Sequence, residues 1–156
     1  MSLKNYKAKR DFSKSPEPKA TKAKSVSGRI YVVQKHQASH LHYDFRLELD
    51  GVLKSWAVPK GPSLDPADKR LAVEVEDHPL AYAQFEGIIP SGYGAGSVEI
   101  WDEGEWFPEG DPHKALKAGK LNFELKGKKL SGHWHLVRMQ AKPGETKHNW
   151  LLMRAS

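Results

Sequence analysis

Nine residues, Leu41 to Leu49, alternate without a break. Tyr43, Phe45, Leu47 and Leu49 fall on one face; His42, Asp44, Arg46 and Glu48 fall on the other. A period of two is the pattern of a strand with one apolar side. Asp50-Gly51 follows and supplies a tight hairpin turn. Val52 to Val58 then reads as the returning strand, closed by Pro59.

The rest of the chain continues in short strands. Ile30 to Gln34 is a β-rich run, and Leu71 to Asp77 is a strand with Leu71, Val73 and Val75 in phase. Ser97 to Asp102, Leu121 to Lys126, Leu130 to Met139 and Trp150 to Met153 complete the set. Loops are expected at Pro62 to Pro66, at Gly87 to Gly96 and, as a turn, at Glu103-Gly104. A loop or helical turn is expected over Leu80 to Phe85. Asp111-Pro112 starts a short helix, as N-cap and first helical position, and Gly119 ends it. About eight strands between turn signals predict an all-β fold, a barrel or sandwich.

The chain has 156 residues and 38% apolar content, enough for one domain with a real core. It holds no cysteine, so a metal would need His, carboxylate, carbonyl or water ligands. No apolar run is long enough for a membrane helix, and no apolar segment follows the basic start; an intracellular, cytoplasmic location is expected. The formal charge of +6 is concentrated. Residues 1–28 carry eight basic and two acidic groups, whereas the other 128 carry seventeen of each. Residues 1–28 are therefore expected as a basic, largely flexible arm, and 29–156 as the barrel domain. The arm reads equally as a reach toward phosphate backbones and as a solvated tail.

The segment richest in chemistry is Gln34 to Arg46. On a strand, His42 and Asp44 share a face about 7 Å apart along the chain. His36, placed before the strand, could swing in from a loop. Two imidazoles and a carboxylate suit Mn²⁺, Zn²⁺, Fe²⁺ or Co²⁺ better than Ca²⁺, and three protein ligands leave positions open. Arg46 follows on the same face, placed to grip a phosphate. The even-numbered face of the strand at 71–77 carries Arg70, Glu76 and, just past its end, His78. His78 is assigned as proton donor or transition-state hydrogen-bond donor. Read without context, a polar strand face of this kind is simply the solvent side.

His40 has no geometric reason to be preferred as a ligand. His113, His133, His135 and His148 read as surface or packing residues. The Gly-rich run 87–96 lacks the Lys-Ser/Thr ending of a nucleotide loop, and the five tryptophans are expected in the core.

At larger scale the chain resembles the 3′-phosphoesterase domain of bacterial DNA ligase D and its stand-alone relatives. The likeness rests on Val33-Gln34-Lys35-His36, on His42 through Gly51, and on Leu53 through Pro62. It continues at Arg70, Glu76-Asp77-His78-Pro79, Tyr82, Phe85-Glu86-Gly87, Gly94-Ala95-Gly96, Trp101-Asp102, Leu136 to Met139 and Trp150-Leu151-Leu152. Lys9-Arg10-Asp11-Phe12 and Pro16-Glu17-Pro18 also match, so nearly the whole chain is covered.

The resemblance implies a compact β-barrel with a mobile arm. It implies Mn²⁺-dependent removal of a 3′-terminal ribonucleoside and then of the 3′-phosphate, leaving a 3′-OH for end joining. It implies metal ligands at His36, His42 and Asp44, and phosphate and catalytic contacts at Arg46 and His78. Supporting roles are implied at Arg10, Asp11, Glu17, Gln34, Lys60, Arg70, Glu76 and Tyr82, with Arg10, Asp11 and Glu17 folding over the site when DNA binds. Primer–template 3′ ends, Ku and a ligase or polymerase are the implied partners of a monomer working at the nucleoid. Two departures stand out. The loop between Gly92 and Tyr93 is one residue shorter than in many relatives. The chain also carries no polymerase or ligase domain, and its start at Met1 points away from an internal excision.

The alternative readings are a non-enzymatic strand-binding barrel and a phosphoesterase for small phosphoesters. Convergence of His36, His42 and Asp44 separates the first from an enzyme. A steep salt dependence separates strand recognition from the second.

Overall fold

The computed structural model describes residues 2–20, 25–145 and 148–156; residues 1 and 21–24 of the expected arm lie outside this set. Its strands are β1 (Ile30–Gln37), β2 (Leu41–Leu49), β3 (Val52–Val58), β4 (Arg70–Pro79), β5 (Gly87–Ile89), β6 (Gly96–Pro108), β7 (Lys120–Gly127), β8 (Ser131–Arg138) and β9 (Asn149–Arg154). They pair antiparallel in the order β1-β2-β3-β4-β9-β8-β7-β6-β5, and β1 also pairs with β6. That last pairing closes eight strands into a barrel, as expected, and leaves β5 as an extra strand on β6. Closure removes the free edges of those eight strands.

Local chemistry explains the first hairpin. Leu49 faces Val52, and Asp50 and Gly51 take φ of 53° and 78° in the turn. The odd-numbered face of β2 enters the barrel, where Phe45 and Leu47 meet Trp56, Trp106, Phe123, Trp134 and Trp150. Four of the five tryptophans are buried there, and Trp101 packs against the same cluster. The expected helix, α2 (Pro112–Ala118), is capped by the Asp111 side chain, which accepts from the His113 amide at 2.9 Å, and ends at left-handed Gly119.

A second apolar cluster lies on the outer face of the barrel wall. It joins Val32 and Leu53 to Tyr6 of α1 (Lys4–Ala8), to Leu80, Tyr82 and Ala83 of a 3₁₀ turn (Leu80–Gln84), and to Phe85, Ile89 and Val98. The even-numbered face of β2 is therefore covered rather than wet. In this structure residues 2–20 lie against the barrel, with Tyr6 fully buried and its hydroxyl donating to the Pro18 carbonyl. Glu48 fastens the far end of this segment, accepting from the amides of Ser25 and Ile30.

Four local expectations are corrected. First, β1 runs on to Gln37, so His36 sits on a strand; β2 and β6 pair with it on both sides through that residue and hold it extended. Second, Glu103-Gly104 is no turn but the middle of β6. A Cβ at Gly104 would lie 2.0 Å from the Lys126 carbonyl oxygen, so this glycine marks a close strand approach. Third, the Gly87–Gly96 stretch is not wholly irregular, because β5 pairs with the start of β6. Fourth, the face of β4 is interrupted. Ser55 opposes Val75, but Leu53 opposes His78, so β4 carries an extra residue there. Before this bulge, Ala72 points into the barrel core and Val73 and Val75 look outward. After it, His78 takes the outward side. Arg70 and His78 therefore do not share a face, although both are even-numbered.

Candidate metal and phosphate site

The outer wall of β1–β4 forms the floor of a cleft of about 410 Å³. The N-terminal segment and the 89–95 loop form its rim. His36 and His42 are direct cross-strand partners on β1 and β2, and Asp44 is two residues beyond His42. One side-chain ligand atom from each of the three falls within 4.8 Å of the others, the only such group of three or more among the described residues. His36 Nδ1 lies 3.5 Å from one Asp44 oxygen, and His42 Nε2 lies 3.2 Å from the other.

The remaining ring nitrogens fix what these atoms offer. His36 Nε2 donates to the Gly94 carbonyl at 2.7 Å, and His42 Nδ1 faces the His40 carbonyl at 3.4 Å. A carbonyl only accepts, so in each neutral ring the hydrogen sits on that outer nitrogen. The lone pairs of both imidazoles then face a carboxylate, and a divalent cation satisfies all three. Backbone partners on the far nitrogens orient metal-binding histidines in the same way. The residues present therefore fit a divalent metal. Without a cation, hydrogen bonding to Asp44 holds the His42 imidazole above its ordinary value. Burial would push the Asp44 carboxyl up, but the Arg46 guanidinium and the two neighbouring imidazoles, when they carry a proton toward it, outweigh that, and the group stays well below the usual carboxylate range.

Arg46 is fixed from three sides. Its Nε donates to Gln34 Oε1 at 2.7 Å, Nη1 to Ser55 Oγ at 2.9 Å, and Nη2 lies 3.3 Å from Asp44. A guanidinium has five N–H groups, so two remain for a phosphate. Gln34 is itself locked, donating to the carbonyls of Tyr82 and Phe85 at 2.6 and 3.1 Å.

His78 closes the other side of the cleft. Its Nδ1 donates to the Glu76 carbonyl at 2.9 Å, which leaves Nε2 as an acceptor for Arg10 Nη2 at 3.3 Å. Burial, then Arg46 and Arg10, hold this imidazole well below its ordinary value, so the ring is neutral. Arg10 also bonds Glu17 at 2.9 Å and Glu76 at 3.3 Å. Tyr82 donates its hydroxyl to Glu17 at 2.7 Å. Burial raises the Tyr82 phenol, which therefore keeps its proton.

Of the residues expected at the site, the cleft is lined by Arg10, Glu17, His36, His42, Asp44, Arg46, Glu76, His78 and Tyr82. Gln34 stands behind Arg46. Asp11 lies outside the cleft, its carboxylate accepting from Ser13. Lys60 is exposed in the turn after β3. Arg70 lies at the opposite end of β4 from His78, beside Asp68. Ser55, Gly94, Lys9 and Tyr93 were given no site role from the sequence. Their only signal there was that they lie in, or beside, the segments that carry the resemblance.

The family pattern described as the DNA Ligase D 3′-phosphoesterase domain matches residues 34–138. The chain is 58% identical over 156 residues to the multifunctional non-homologous end joining protein LigD of Pseudomonas aeruginosa, covering 98% of this chain and 18% of that protein. It is 50% identical over 142 residues to the multifunctional non-homologous end joining DNA repair protein LigD of Mycobacterium tuberculosis, covering 87% and 18%. The LigD protein of Mycolicibacterium smegmatis is 41% identical over 160 residues, covering 97% and 20%. The chain thus spans about a fifth of the length of these relatives.

Proposed function

The chain belongs to the DNA ligase D 3′-phosphoesterase domain family, and from that premise we propose that it is a metal-dependent hydrolase of phosphate esters at nucleic-acid 3′ ends. It removes a 3′-terminal ribonucleoside and then the 3′-phosphate, leaving a 3′-OH that a ligase can seal. The observation that carries this reading is the convergence of His36, His42 and Asp44 beside the fixed guanidinium of Arg46.

A divalent ion held by His36, His42 and Asp44, manganese first and zinc or cobalt compatible with the donors, would supply Lewis-acid polarisation of the phosphate. Arg46 turns its two free N–H groups to the phosphoryl oxygens and neutralises charge that grows there. Its three existing bonds remove the need to reorganise. Arg10, held by Glu17 and Glu76, adds a second guanidinium on the opposite wall. His78 Nε2 accepts from Arg10 Nη2, and when Arg10 turns to the phosphate that lone pair is released to take a proton from the attacking water. As the transition-state hydrogen-bond donor expected from the sequence, His78 would instead carry its ring hydrogen on Nε2, the other neutral tautomer. In the diesterase step the water oxygen bonds to phosphorus and the bond from phosphorus to the nucleoside 5′ oxygen breaks. That oxygen leaves as the nucleoside 5′-OH, receiving from His78 the proton taken from the water, and the strand retains a 3′-phosphate.

Asp11, Lys60 and Arg70 are given no part in these steps. DNA or RNA primer–template ends, Ku and a ligase or polymerase are the proposed partners of a monomer, with the cytoplasm around the nucleoid as its place of work. The test is a labelled primer–template ending in one ribonucleotide, incubated with EDTA, Mn²⁺, Zn²⁺, Co²⁺ or Mg²⁺, its products resolved by length and end group. Metal-restored shortening followed by loss of the terminal phosphate is expected. Binding that survives chelation, without turnover under any metal, would replace the hydrolase with a strand-binding barrel.

A further inference from the structure

A second cavity, of about 170 Å³, opens off the cleft between the N-terminal segment and the loop at 91–93. The two spaces share Arg10, Glu17, Gly92 and Tyr93 as walls. Tyr93 stands at their junction and is 49% exposed, one of few large apolar side chains left open to solvent. Its place is tied to the metal set: the next residue, Gly94, accepts the His36 N–H. Lys9 and Arg10 hold the ring from 4.8 and 5.4 Å, measured to its centroid.

Charge decides what this second space can take. Lys9 is paired with Glu76, and Arg10 with Glu17 and Glu76. Among the described residues, the charges on its wall outside these pairs are Lys14 and Asp11, of opposite sign. A balanced wall gives little attraction to another phosphate, whereas the main cleft already supplies Arg46. An exposed aromatic ring with hydroxyls from Ser15 and Ser91 beside it suits a neutral, flat, polar group.

We infer that Tyr93 and the cavity beside it form the subsite for the terminal nucleoside that leaves in the diesterase step, the base stacking on the Tyr93 ring. This deepens the hydrolase reading and rests on it. Tyr93 is then a specificity residue: it acts on substrates carrying a nucleoside beyond the scissile phosphate and has no counterpart to hold in a 3′-phosphate end.

Two measurements on the whole chain test this. The first is kcat/KM with Mn²⁺ on a primer ending in a ribonucleoside and on one ending in a 3′-phosphate. Tyr93→Ala should lower the diesterase to monoesterase ratio by about ten-fold or more, the scale of one lost base–aromatic stack. Tyr93→Phe and Tyr93→Trp should preserve the ratio, and an abasic terminal ribose should give the wild type the ratio of the Tyr93→Ala variant. A parallel fall in both activities, or an unchanged ratio, would overturn the assignment. The second needs no turnover: titration with free adenosine, read by NMR at the Tyr93 ring. Saturable shifts at that ring and at the Gly92 and Gly94 amides are expected in the wild type, the amide shifts should be lost in Tyr93→Ala, and no saturable shift in the wild type, or amide shifts kept in Tyr93→Ala, overturns the subsite. Adenosine binding in a wild type that hydrolyses neither end would instead count against the hydrolase reading alone.

Discussion

Arg10 Nη2 reaches His78 Nε2 at 3.3 Å, across 68 residues of sequence. The guanidinium comes from the N-terminal segment and the imidazole from the barrel wall, so the cleft is complete only with that segment docked. Glu17 is the fastening: its carboxylate serves Arg10, Tyr82 and Ser15 together.

Glu17→Ala should therefore release the segment. It leaves a buried guanidinium and a buried phenol without their shared acceptor, and opening should become easier by about 2–4 kcal/mol. Hydrogen exchange at the Lys7 and Lys9 amides, bonded within the first turns, should speed up while the barrel strands keep their protection. Unaltered exchange there would show that something other than Glu17 holds the segment.

The metal set predicts two graded losses. His42→Ala removes a proposed metal ligand on a strand whose apolar face is untouched, so the fold should persist while turnover is abolished. Gly94→Ala is subtler. The position has φ of 75°, and a Cβ would meet His36 Cε1 at 3.3 Å. Displacing this loop loosens the carbonyl that orients His36, so Mn²⁺ affinity should fall by roughly 10–100-fold. Calorimetric titration with Mn²⁺ reads both, and unchanged affinity in the Gly94→Ala variant would mean that Gly94 does not orient the ligand.

Gln34→Leu should cost both stability and rate. The change strips a buried hydrogen-bond acceptor from Arg46 Nε and a donor from the Tyr82 and Phe85 carbonyls. A loss of about 2–4 kcal/mol in urea unfolding is expected. A fall in kcat of about 100-fold should accompany it as Arg46 loses its fixed direction. Full activity in this variant would show that Arg46 needs only Ser55 and Asp44 to hold it.

His78 links stability to pH. Burial, Arg46 and Arg10 depress its folded-state value. Below the ordinary histidine value of about 6.5 the unfolded chain binds a proton that the folded chain refuses. Stability is thus fully present above that value and is lost as pH falls toward the depressed one. His78→Gln removes this dependence. Urea midpoints from pH 7.5 to pH 5, roughly the range where an unfolded histidine titrates, should fall more steeply in the wild type. The slopes should differ by at most about 1.4 kcal/mol per pH unit. Parallel curves would mean that His78 is already charged in the folded protein.

Much of the strand framework was legible in the chain itself. Alternation set His42, Asp44 and Arg46 on one face and Phe45 and Leu47 on the other, because successive side chains on a strand must point to opposite sides. Asp50-Gly51 fixed the hairpin and Asp111-Pro112 with Gly119 fixed α2, since each pair answers a local backbone demand. Where the reading failed, a distant partner had intervened. His36 was expected in a loop, but pairing with β2 and β6 holds it on a strand. Arg70 was expected on the face of His78, but the bulge opposite Leu53 and Ser55 puts them on different sides.

The amino-acid order alone determined which side chains share a strand face, because that follows from bonds between neighbours. Whether the polar face would be wet or roofed was decided only in the folded molecule. The roof consists of Tyr6, Arg10 and Glu17, Tyr82 and the 89–95 loop, which reach the wall from far along the chain. Such contacts depend on barrel closure and strand register, properties that no local stretch encodes. They turned an ordinary amphipathic strand into a buried, charged cleft.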